Sequence, residues 1–121
     1  MSAQIEVPAG STARAIFETL ASENGARVAP DSAPTVTGVW VDGVATTLTS
    51  APAVTQLQNE VPANITGVYQ VTFPTGSPNS LAVGEVVWVE VSATINGNTA
   101  PKKAFTFVVV PADVATTPVI R

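Results

Sequence analysis

The side chains able to do chemistry are few. The 121-residue chain has no His and no Cys, which removes imidazole bases and ligands, thiolate nucleophiles, thiolate metal sites and disulfides. A Ser nucleophile would have to rely on Lys102 or Lys103, and adjacent lysines at the mouth of a hairpin read as solvated cations. Paired carboxylates are the remaining route to acid–base chemistry. Glu85 and Glu90 have odd spacing and would face opposite sides of one strand. Asp31, Asp42, Glu60 and Asp113 are scattered beside turn residues, where carboxylates cap turns and keep a surface soluble. No catalytic residue is assigned, and the expectation is a protein that is not an enzyme.

Metal and cofactor chemistry is equally thin. A calcium site would require Asp42, Asn96, Asn98 and Asp113 to converge at one pole, with no Asp-x-Asp pair and no EF-hand loop to help. Gly76-Ser77-Pro78-Asn79-Ser80 lacks the Gly-Lys-Ser/Thr ending of a phosphate loop and reads as a flexible hairpin tip. Asn64-Ile65-Thr66 fits the glycosylation pattern, a chance match without a secretion signal. No metal site and no cofactor follow.

The overall balance points the same way. Charged residues make up 12% of the chain, about half the usual share of a soluble domain, so the polar surface rests largely on Thr and Ser. The net charge is −4. Without a basic stripe, neither nucleic acid nor an anionic membrane surface is an expected partner. No window approaches the apolar length of a spanning helix. Met1 to Glu6 has no basic and apolar leader pattern, so synthesis and assembly in a cytoplasm are expected.

Val and Thr favour strands, and 10 Pro and 8 Gly cut the chain into short runs. Thr12 to Leu20 and Thr37 to Val41 read as strands, with Asp42-Gly43 turning the second back through Val44 to Leu48. A turn is expected at Asn24-Gly25. Thr49 to Pro62 reads as polar, with one helical turn or a short edge strand at Val54 to Leu57. Gly67 to Phe73 alternates cleanly. Val86 to Ile95 is the longest predicted strand, closed by Asn96-Gly97 and paired with Lys102 to Val110. About seven strands result, which predicts an all-β, immunoglobulin-like antiparallel sandwich over 12–110. An extended arm is expected over 1–11 and another over 111–121.

Trp40 and Trp88 are out of phase with the Val faces of their strands. The core is assigned to those Val faces with Tyr69, Phe73, Phe105 and Phe107, leaving Trp88 outward as an interface candidate. Both faces of Val86 to Ile95 are largely apolar, which predicts association with copies of the chain or with a larger assembly.

The succession of Val39-Trp40-Val41-Asp42-Gly43-Val44, Thr66-Gly67-Val68-Tyr69-Gln70-Val71, Leu81-Ala82-Val83-Gly84-Glu85, the Val-rich run to Val91, Asn96-Gly97 and Phe105-Thr106-Phe107-Val108-Val109 resembles the small immunoglobulin-like domains of tailed-phage virion proteins and of bacterial adhesive modules. The resemblance spans roughly 12–110. It implies a virion structural protein, foremost a capsid decoration or cement protein contacting the major capsid protein in many copies. A glycan- or host-binding module of a tail, baseplate or fibre is the alternative. The contact residues expected on this reading are Ile5, Val7, Trp88, Val119 and Ile120.

Overall fold

The computed structural model describes residues 4–21, 25–60 and 63–112. Among them there is no helix. The strands in chain order are β1 (Gln4–Pro8), β2 (Thr12–Glu18), β3 (Thr35–Val41), β4 (Val44–Ala45), β5 (Ala53–Glu60), β6 (Ala63–Pro74), β7 (Val86–Ser92), β8 (Thr94–Ile95), β9 (Asn98–Thr99) and β10 (Lys103–Val110). They form a five-stranded sheet in the order β1-β10-β7-β3-β4, a three-stranded sheet in the order β2-β6-β5, and the small ribbon β8-β9.

Period-2 alternation builds the core. Val87, Val89 and Val91 of β7 and Phe105, Phe107 and Val109 of β10 are buried on one side of the larger sheet. Ala13, Ala15 and Phe17 of β2 and Tyr69, Val71 and Phe73 of β6 are buried on the facing side of the smaller one. Aromatic rings join the two layers. Phe73 meets Phe107 edge-on, with ring centroids 5.0 Å apart, and Phe17 lies 5.9 Å from Phe105.

Residues 1–11, expected as an arm outside the sandwich, contribute β1 instead. It runs parallel to β10 with Ile5 opposite Phe107 and Val7 opposite Val109. That register turns Ile5 and Val7 inward, and Val7 is 3% exposed. Thr75 fastens the corner where the chain crosses from β1 to β2. Its buried hydroxyl accepts from the Ser11 N–H at 3.0 Å and lies 2.8 Å from the Ser11 carbonyl and 3.0 Å from that of Pro8.

Other expectations shift in detail. β7 stops at Ser92, and the chain leaves the sheet to form β8-β9 around Asn96-Gly97 before returning as β10. The longest strand is β6, with 12 residues. The polar stretch before it is an eight-residue strand, β5. Two predicted turns have the required backbone, with positive φ at Asp42 and Gly43 and at Asn96 and Gly97. The loop at Gly76–Ser80 is tethered. Asn79 accepts from the Ser50 N–H at 2.7 Å and donates to the carbonyls of Ser50 and Pro74.

Candidate interaction surface

The outward side of the larger sheet is defined by its registers. Gln4 lies opposite Thr106, Thr106 opposite Trp88, Trp88 opposite Trp40 and Trp40 opposite Ala45. One row of side chains thus crosses all five strands without a formal charge. The next row runs Glu6, Val108, Val86, and the one on the other side runs Ala104, Glu90, Gly38.

The two indoles meet at the centre of this row in a tilted pair, with ring centroids 5.3 Å apart and planes at 39°. Trp88 is 45% exposed. Trp40 lies down across Gly38, where a Cβ would come within 2.4 Å of its ring. Gly38 therefore serves as the floor for the indole, and this close approach, rather than a turn, explains a glycine inside β3. A bulge between Val36 and Gly38 sets Thr37 over β7. Its hydroxyl lies 3.0 Å from Glu90 Oε1, and Lys102 Nζ approaches the same oxygen at 3.6 Å. The one carboxylate beside the indoles on β7 is thus neutralised at the rim, and the face stays amphipathic.

Three further acids hold backbone. Asp31 accepts from the N–H groups of Asn96 and Gly97 at 2.9 and 2.8 Å. Asp42 accepts from Val86 at 2.9 Å, and Glu85 from Ala82 at 2.6 Å. Asp42 faces the first residue of β7, whereas Asn96 and Asn98 lie beyond its last. These calcium candidates therefore stand at opposite ends of the sandwich, and Asp113 lies outside the described residues. Lys103 sits over the Phe105 ring at 5.5 Å.

The sequence-derived contact residues separate into three groups. Trp88 is exposed on the sheet face. Val7 is a core residue and Ile5 is packed against the core, because β1 pairs with β10; this corrects the expectation that they form a docking arm. Val119 and Ile120 lie outside the described residues. Sequence reasoning missed the partnership of Trp40 with Trp88, because β3 and β7 are neighbours in the sheet without being joined by a turn. It also missed a groove of about 460 Å³ walled by Phe17, Leu20, Ile95 and Pro101. The groove joins β2 to the β8-β9 ribbon, segments about 80 residues apart, and no local pattern announces it.

No family model, curated protein or solved structure matches the chain.

Proposed function

We propose that the protein is a non-enzymatic virion structural protein of a tailed phage, most specifically a capsid decoration or cement protein. On this reading it is made in the host cytoplasm and stabilises the head by packing against the major capsid protein in many copies. The observation that carries the reading is the uncharged row centred on Trp40 and Trp88, with Trp88 45% exposed. Apolar, ring-rich surface of this kind stabilises contacts by excluding water, and tryptophan is enriched where such contacts are strongest.

The same proposal takes the sandwich as immunoglobulin-like. In such domains strands B, E and D lie in one sheet and C, F and G in the other. The orders β2-β6-β5 and β10-β7-β3 support that assignment, with β1 added parallel to the last strand. Adding the purified protein to heads that lack it, followed by electron microscopy, tests the function. Regularly spaced extra density and greater resistance of the heads to heat are expected. Bare heads would count against the proposal.

The indole pair also favours a second reading, a glycan- or host-binding module of a tail, baseplate or fibre, because sugars stack on exposed aromatic faces. A glycan array read with wild type and with Trp88→Ala separates the two. Binding lost with the indole supports this module, and no ligand leaves the decoration role favoured.

A further inference from the structure

The two sheets end in four edges, and three are blunted in ways that discourage strand addition. β1 has five residues and ends in Pro8. β4 has two residues. β5 follows Pro52 and carries register shifts on both sides of Gln58. β2 has none of these devices. It pairs with β6 in unbroken register from Thr12 to Glu18, it contains neither Pro nor Lys, and among the described residues nothing pairs with Arg14 or Ile16 on its other side.

Its free side can be specified. Thr19 donates its N–H to Gly67 across the β2–β6 pairing, and Thr75 donates to the Ser11 carbonyl at the other end. Backbone directions alternate along a strand. The odd-numbered residues therefore serve β6, and Arg14, Ile16 and Glu18 turn their N–H and C=O groups to open solvent. The same three side chains lie on the outer face, with Ile16 53% exposed.

We propose that this edge pairs with β2 of a second copy of the chain, antiparallel, about a two-fold axis through Ile16. In that register Ile16 meets Ile16, and Arg14 of each copy lies opposite Glu18 of the other. The edge is thus self-complementary in charge and in apolar contact, which is the condition for an isologous dimer. Glu18 already faces Arg27 at 3.7 Å, with both side chains about half exposed, so its carboxylate stays open to a second guanidinium. The Leu20–Arg27 bridge is closed through Thr19 and Ala21, on the β6 side, so it leaves the free edge along Arg14, Ile16 and Glu18 open. The two three-stranded sheets would merge into one of six strands. This inference rests on the multi-copy reading above but uses a different surface, so the two fail separately.

Sedimentation velocity on the full chain, from about ten micromolar to one millimolar, tests it. A concentration-dependent dimer is expected. Arg14→Glu sets two like-charge pairs across the axis and is expected to weaken the dimer about tenfold or more. The double variant Arg14→Glu, Glu18→Arg restores the opposite charges and the dimer, whereas Trp88→Ala leaves it intact. A chain without cysteine also allows Ile16→Cys as a probe. A short thiol cross-linker is expected to capture Ile16→Cys dimers and not those of Val44→Cys, whatever the charge variants do to folding. A wild type monomeric throughout, failure of the charge swap to restore association, equal cross-linking at both cysteines, or a dimer lost with Trp88 would overturn the proposal.

Discussion

The two outer faces of the sandwich follow the same alternation yet present different surfaces. On the larger sheet, Gln4, Thr106, Trp88, Trp40 and Ala45 form an uncharged row with a tilted pair of indoles at its centre. On the smaller sheet, β2 presents Thr12, Arg14, Ile16 and Glu18, and Gln70 of β6 donates to the Thr55 hydroxyl at 3.2 Å. Equal backbones thus carry an aromatic face on one side and a charged, hydrogen-bonding face on the other. The inward faces do not account for the difference, because both pack into one shared apolar core, with Gln56 opposite Tyr69 as a polar side chain on the inward side of β5. The contrast points to unequal work outside the molecule.

The sharpest break in that comparison separates inward from outward aromatics. Phe107 is 1% exposed and meets Phe73 edge-on. Phe107→Ala is expected to cost about 3–5 kcal/mol and lower the melting temperature by roughly 15 °C or more, read by circular dichroism. Trp88→Ala, despite removing a larger ring, is expected to cost only about 1 kcal/mol, because it gives up one aromatic pair at the surface. Equal losses would mean that Trp88 belongs to the core and that the outer face has no separate role.

Between these lies the corner latch. Thr75→Val keeps the shape but leaves the Ser11 N–H and the carbonyls it joined without their hydroxyl. A loss of about 1–3 kcal/mol in denaturant unfolding is expected. A neutral result would show that β1 is held by its pairing with β10 alone.

A smaller effect is expected at Gly38. Gly38→Ala drives a Cβ into the Trp40 ring, so the indole must lift away from the sheet. Stability is expected to fall by about 1 kcal/mol, while the near-ultraviolet dichroism of the Trp40–Trp88 pair changes strongly. An unchanged spectrum would show that the ring does not lie on Gly38.

Much of this architecture could be read from residue order, because strand alternation and tight turns are local. Val87, Val89, Val91, Phe105, Phe107 and Val109 declared the inward side by period 2, and that choice put Trp88 outside. Asp42-Gly43 and Asn96-Gly97 declared turns by their tolerance of positive φ. What failed was non-local. Pro8 and Gly10 made Gln4–Pro8 look like a free arm, whereas the partner that makes it a strand lies about a hundred residues away in β10. Val7 was therefore placed on the surface instead of in the core. The departure of the chain from the sheet after Ser92 likewise has no signal in the apolar run from Val86 to Ile95.

If the tryptophan row is the proposed contact surface, losing it should abolish binding while the fold stands without it. On the decoration reading proposed above, co-sedimentation of wild type and Trp88→Ala with phage heads that lack the protein, with melting curves recorded on the same samples, is the decisive experiment. The account predicts that wild type saturates the heads, and that Trp88→Ala melts within a few degrees of it but stays in the supernatant. Undiminished binding by a folded Trp88→Ala would contradict it.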